Sequence, residues 1–237
     1  MSDQSGLPQL VEPTRILITG DSITQGTSGD YTWRYHLWNK LVELDLPVAF
    51  VGPRSDLYDF ESGEFGSATY AQAFGGQSHG AKWGSSLLLD GPEITEQVES
   101  SMPDVLVEVL GSNDLACLAT PGETVERLLT YIDRARAARP GIGIVVGTVT
   151  TRYDVQLERY TLESESTEYR ALLSQLAAQL DTSGARIVVA DISTGFDPRT
   201  MTWDGTHPNE AGERVIAQRI FEALGGLGIG PVDTHAR

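Results

Sequence analysis

In "RILITGDSITQG", residues 15 to 26, a serine stands where an apolar run gives way to small polar residues. Ile16, Leu17 and Ile18 read as a buried strand, and the residues from Gly20 to Gly26 as the turn that follows it. A serine so placed can belong to a phosphate cradle, attack an acyl carbon, or cap a helix. A phosphate loop needs G-x-x-x-x-G-K-[ST], but Gly20 and Gly26 are spaced wrongly and no lysine follows. The dinucleotide pattern G-x-G-x-x-G is absent, and Thr24 occupies the second glycine position of the elbow G-x-S-x-G. Nucleophile and cap both remain open for Ser22, with Thr24 as an alternative cap, since turns between strand and helix often end in Ser or Thr.

Three further stretches carry polar groups with chemical potential. "EVLGSNDL", from Glu108 to Leu115, is again a strand running into a turn, here with Asn113. "MTWDGTHPNEAG", from Met201 to Gly212, sets Asp204 and His207 three residues apart. "AFGGQSHG", from Ala73 to Gly80, brings Gly75 and Gly76 in a long connection. All four stretches follow strand-like segments. That is the carboxyl-end side of a parallel sheet, where open α/β folds bind ligands.

The elements that would gather them alternate along the chain. Apolar, β-branched runs at Arg15–Thr19, Val48–Val51, Asp104–Leu110, Ile142–Gly147 and Arg186–Ala190 are short and nearly continuous in hydrophobicity, as parallel strands covered on both faces should be. Helical spacing links Trp33, Leu37, Leu41 and Leu44, and again Val125, Leu128, Leu129 and Ile132 after Pro121. Leu172, Leu173, Leu176 and Leu180 make a third stripe, Val215, Ile216, Ile220 and Leu224 a fourth, and a weaker helix is expected from Pro92 to Ser100. The pattern predicts an α/β fold with a five-stranded parallel sheet in one domain spanning residues 14–226, with loosely held tails at 1–13 and 227–237. The long connections Gly52 to Asp90 and Thr148 to Leu162 are expected to be functional.

Composition narrows the classes. The chain of 237 residues is long enough to bury one sizeable core, roughly 70% of its unfolded surface. A formal charge of −16 repels phosphate backbones and anionic headgroups, so neither nucleic acid nor a membrane is expected as a partner. The single cysteine, Cys117, excludes an internal disulfide framework and a multi-cysteine metal site. No apolar run approaches the ~18 residues of a membrane span, and the first residues have neither a basic start nor an apolar core. A cytoplasmic location is the expectation, with no metal or organic cofactor and a small-molecule partner.

In this order, "GDSIT", "GGQS", "GSNDL" and "DGTHPN", running from Gly20 to Asn209, resemble the four blocks of the SGNH hydrolases, the GDSL-type esterases and lipases. The resemblance implies a flavodoxin-like three-layer α/β/α sandwich and hydrolysis of esters or thioesters through an acyl-serine. The ending "DGTHPNEAG" is most similar to the small carbohydrate-esterase branch, which removes acetyl groups. The residues then take roles: Ser22 as nucleophile, His207 as its base, and Asp204 to orient the imidazole. The oxyanion hole falls to the backbone N–H of Ser22, that of Gly76 with Gly75 as its neighbour, and the side-chain amide of Asn113.

Other residues have plainer readings. His36 is expected on a helix surface, His235 lies in the tail, and His79 is the one competitor for the base. Asp21 and Asp114 fix their turns, and Glu108 is a paired or strand-end carboxylate. Trp203 can wall a pocket or pack in the core, and Arg152 and Tyr153 can face a substrate. Two competing functions stand beside the esterase: an acyltransferase with the same acyl-serine, and a flavodoxin-like binding module without catalysis.

Overall fold

The structure, a computed structural model, describes residues 12–230. Its centre is five parallel strands, β1 (Thr14–Gly20), β2 (Val48–Val51), β5 (Val105–Val109), β6 (Gly143–Gly147) and β9 (Ile187–Ala190). They run in the order β2-β1-β5-β6-β9. Ile16 of β1 lies between Phe50 and Val105, and Val146 lies between Glu108 and Val189, so the register is continuous across the sheet.

Eight α-helices accompany the sheet among the described residues: α1 (Ser22–Gln25), α2 (Trp33–Glu43), α3 (Leu87–Asp90), α4 (Ile94–Ser101), α5 (Pro121–Ala138), α6 (Glu163–Leu180), α7 (Pro198–Met201) and α8 (Glu210–Gly226). Side chains alternate across a strand, so β1 sends Ile16 and Ile18 to one face and Leu17 to the other. Ile16 and Ile18 join Trp33 and Leu37 of α2 and Ile216 and Ile220 of α8 in one buried cluster. Leu17 joins Leu128 of α5 and Tyr169 and Leu173 of α6 in the second. The result is a three-layer α/β/α sandwich. Each such fully buried aliphatic side chain contributes about 1.5–3 kcal/mol, which is why the strands tolerate almost no polar residue.

The long connections hold structure that hydrophobic periodicity does not reveal. One contains the antiparallel hairpin β3 (Leu57–Asp59) with β4 (Glu64–Ser67), the other the hairpin β7 (Arg152–Asp154) with β8 (Arg159–Thr161). Strands of three or four residues are too short to display a two-residue period. His36 also departs from expectation: its side chain is only 8% exposed and its Nε2 lies 3.7 Å from Glu213 Oε2, across the α2–α8 contact. Among the described residues no helix is long and apolar enough to cross a membrane. The tails expected at 1–13 and 227–237 fall outside the described residues, apart from Glu12, Pro13 and residues 227–230.

Candidate active site

β1 delivers Ser22 to the carboxyl edge of the sheet as the first residue of α1. The cap of that helix is neither Ser22 nor Thr24. It is Asp21, whose Oδ1 accepts from the Ile23 N–H at 2.9 Å, so the Ser22 hydroxyl is left for other work. His207 Nε2 lies 3.0 Å from Ser22 Oγ, and His207 Nδ1 lies 2.7 Å from Asp204 Oδ2. The other carboxylate oxygen of Asp204 accepts from the backbone N–H groups of Thr206 and His207, at 2.9 and 2.7 Å. Burial alone would raise the Asp204 pKa, but the hydrogen bonds from the His207 ring and backbone outweigh it and hold it below the usual carboxylate range.

The turn between Asp204 and His207 needs its glycine. Gly205 sits at φ +91°, and a Cβ there would run into the Tyr153 carbonyl. The Tyr153 N–H donates to the Gly205 carbonyl at 2.8 Å, which ties β7 to this loop. The His207 ring stacks on Trp83 and on Trp203, with centroids at 4.5 and 5.2 Å and planes 18° apart in each pair. These contacts restrict the imidazole to one plane. Trp203 is therefore a wall of the site, 42% exposed, and not a core residue.

His79, the competitor, is fully buried and held at both nitrogens: Nδ1 accepts from the Ala81 N–H at 3.1 Å, and Nε2 meets the Asp56 carbonyl at 2.9 Å. Burial, helped by Arg34 and Arg54, pushes its pKa well below the ordinary imidazole value. It packs loops together and has no hydrogen bond to Ser22.

Asn113 lies in the turn just after β5. Its Nδ2 donates to the Ser85 carbonyl at 2.9 Å, and its Oδ1 accepts from Arg152 Nη2 at 3.2 Å. Gly75 and Gly76 lie against α2 and β2. Cβ atoms on either would meet the Trp38 ring, and one on Gly76 Phe50 as well, and no hydrogen bond described links them to Ser22, His207 or Asn113. The segment that borders the serine comes a few residues later. The Lys82 N–H donates to the Gly20 carbonyl at 3.0 Å, the Trp83 N–H to Gln25 Oε1 at 2.7 Å, and Ser85 holds Asn113. Between them Gly84, at φ +79°, has open space where a Cβ would stand. Its sequence signal is "WGSSL", a glycine two residues ahead of Ser86, which caps α3.

Behind the serine lie carboxylates that hold turns. Asp114 is fully buried and accepts from the Leu87 and Leu88 N–H groups and from Arg127. Glu108 is inside β5, with one oxygen accepting from the Leu110 N–H and the other without a partner. It is thus bonded to backbone and not paired with a cation. Burial pushes its pKa up to about 8 from 4.5, and that of Asp21 to about 6 from 3.8. Raised carboxyl values mean that the unfolded chain releases these protons first. The stability they carry is complete below pH 4 and is lost as pH rises towards 8. Thermal unfolding should therefore fall between pH 5 and 8, and Glu108→Gln, which cannot ionise, should flatten that slope and melt higher than the parent at pH 8. A parent and variant that melt in parallel across this range would show that Glu108 is not protonated in the fold.

A cleft of about 670 Å³ is lined among others by Asp30, Tyr31, Phe60, Glu61, Trp203 and Glu213, and not by Ser22, Asp204 or His207 themselves. Trp203 is shared between the cleft wall and the His207 stack. Burial raises Asp30 to about 6. Among the described residues no group of three or more His, Cys, Asp or Glu side chains is placed to hold a metal ion.

Several solved structures share this architecture. An acetyl esterase mutant solved with an acetate ion superposes with a TM-score of 0.75 at 22% identity, over 90% of this chain and 97% of that one. A carbohydrate esterase family 3 protein from Talaromyces cellulolyticus gives 0.76 at 23%, covering 90% and 97%. A family 3 carbohydrate esterase from Clostridium thermocellum gives 0.71 at 21%, covering 91% and 97%. At these identities the likeness is one of fold. No curated protein sequence matches the chain significantly. Residues 18–215 match the GDSL-like lipase/acylhydrolase family from the end of β1 into α8, a span that includes Ser22, Asn113, Asp204 and His207. The chain belongs to that family and is a carboxylic ester hydrolase.

Proposed function

We propose that the protein removes a small acyl group, acetyl in the first instance, from a carbohydrate or a glycosylated metabolite by way of an acyl-serine. The observation that carries this reading is the hydrogen-bonded line from Ser22 Oγ through the His207 ring to Asp204, at 3.0 and 2.7 Å. In the first step Ser22 Oγ bonds to the acyl carbon while His207 Nε2 takes its proton. His207 then gives that proton to the departing alcohol oxygen as the ester bond breaks. Water repeats the sequence on the acyl-serine and releases the acid. Asp204 keeps the imidazole in the tautomer that can accept from serine.

Negative charge on the carbonyl oxygen needs donors aimed at it. The Ser22 N–H is one, as a first-turn amide that no helical carbonyl can satisfy. The second N–H of the Asn113 amide is another, since Ser85 occupies only one. For the third we assign Gly84 in place of Gly76, because Gly84 lies in the segment that touches both His207 and Asn113. The cleft beside Trp203 suits a polyhydroxylated alcohol: aromatic faces stack on sugar rings, and Asp30 and Glu61 accept from hydroxyls. The acetyl esterase and carbohydrate esterases of like fold favour the same substrate class.

Kinetics on p-nitrophenyl esters from acetyl to decanoyl, followed by acetylated sugars, test the proposal. The expected result is a kcat/KM that is highest for acetyl and falls by about 10-fold or more by octanoyl, with acetate released from at least one acetylated sugar. A preference for decanoyl over acetyl would overturn the small-acyl reading.

A further inference from the structure

Asn113 can serve as an oxyanion donor only if its amide faces the right way, and its neighbours determine this. Its Oδ1 accepts from Arg152 Nη2 at 3.2 Å while Nδ2 donates to the Ser85 carbonyl at 2.9 Å. Turning the amide over would put Oδ1 against that carbonyl and the Nδ2 hydrogens against a guanidinium, which has no acceptor to offer. The same Nη2 donates to Ser112 Oγ at 2.6 Å, so the guanidinium is braced by the residue preceding Asn113 as well.

We propose that Arg152 is a positioning residue for ester hydrolysis: it locks the Asn113 amide so that one Nδ2 hydrogen stays directed at the forming oxyanion. The inference rests on the oxyanion role given to Asn113 above. Arg152 lies on β7, the strand whose Tyr153 N–H holds the Gly205 carbonyl, so one short hairpin braces both the oxyanion side and the Asp204–His207 loop. Arg152 makes no ion pair with a carboxylate among the described residues. Its Nε is buried with no partner. A buried donor without an acceptor costs about 1–3 kcal/mol, so this placement is poor value as a purely structural tether.

A double-mutant cycle on the whole protein decides the matter, with kcat and KM on p-nitrophenyl acetate and thermal melting read for each variant. Asn113→Ala should lose about 10²- to 10³-fold in kcat, the usual cost of one oxyanion donor. Arg152→Gln should lose about 10²-fold in kcat with KM little changed, as misplacement of a catalytic group by about 1 Å does. In the Asn113→Ala background the same Arg152→Gln change should cost less than about 3-fold, because the group it positions is gone. Arg152→Lys keeps the charge and a donor on a shorter stem, and should fall between parent and Arg152→Gln. It also carries the cycle should the glutamine variant melt well below the parent. Equal losses in both backgrounds, or no loss in either, would overturn the positioning role while leaving Asn113 in place. An Asn113→Ala protein with unchanged kcat would instead remove the oxyanion reading, and this proposal with it.

Discussion

Ser22→Ala is expected to fold and melt like the parent while losing about 10⁶-fold in kcat, the scale on which removal of a triad serine acts. The fold should not notice the change. Ser22 is 8% exposed, its hydroxyl meets only His207 Nε2, and the cap of α1 is carried by Asp21. The groups proposed above as oxyanion donors are backbone and amide N–H groups that the substitution leaves in place, so a residual rate above that of water is expected, with KM near its parent value. Circular dichroism melting and p-nitrophenyl acetate kinetics read the two halves of this expectation. A fluorophosphonate followed by mass spectrometry gives a third reading, since the parent should carry one adduct on Ser22 and the variant none. A variant that keeps substantial turnover, or an adduct on a different residue, would take the nucleophile away from Ser22. An acyltransferase would label equally well, but a binding module would not label at all, so the same experiment separates catalysis from its absence.

The sequence made the sheet legible because each of its strands is a single apolar run covered on both faces, and such runs need no partner to be recognised. Val48–Val51 was readable to the residue, and the ends of β1, β5, β6 and β9 to within one. The hairpins were not readable, because their pairing is decided by contacts that three residues cannot encode. Arg152 shows the consequence. It lies 39 residues from Asn113 in sequence, and only the β7–β8 hairpin brings the two together. Ser22, Asp204 and His207, which the structure joins by hydrogen bonds, were singled out by the ordered blocks "GDSIT", "GSNDL" and "DGTHPN" together, because each turn alone reads equally well as a cap or an Asp-Gly turn. The resemblance of "GGQS" points to Gly76, but the same connection holds a second glycine-rich turn. The structure packs the first against Trp38 and lays the second, "WGSS", against His207 and Asn113. Nothing in the spacing of glycines alone distinguishes a turn that packs on Trp38 from one that lies against His207 and Asn113.

Asp204→Asn tests the part of the site that spacing indicated and geometry refined. The substitution keeps shape and volume, and an asparagine oxygen can still accept from the Thr206 and His207 N–H groups that now bind Asp204 Oδ1. The difference falls on the other atom. Asp204 Oδ2 accepts from His207 Nδ1 at 2.7 Å, whereas an amide nitrogen there can only donate. The imidazole would answer by moving its proton to Nε2, the nitrogen 3.0 Å from Ser22 Oγ. A protonated Nε2 cannot take the serine proton, so the loss is expected to be about 10⁴-fold in kcat, with KM little changed. The depressed Asp204 pKa predicts a second signature. In the parent this carboxylate stabilises the fold above its unfolded pKa of 3.8, and that stability is lost as pH falls through the lower folded value. The variant has no such charge to lose, so parent and variant should melt closer together at pH 3 than at pH 7. A variant that keeps kcat within about 10-fold would show that tautomer control does not limit the reaction. Asp204 would then be a turn residue beside Gly205, and the histidine would have to be oriented by Trp83 and Trp203 alone.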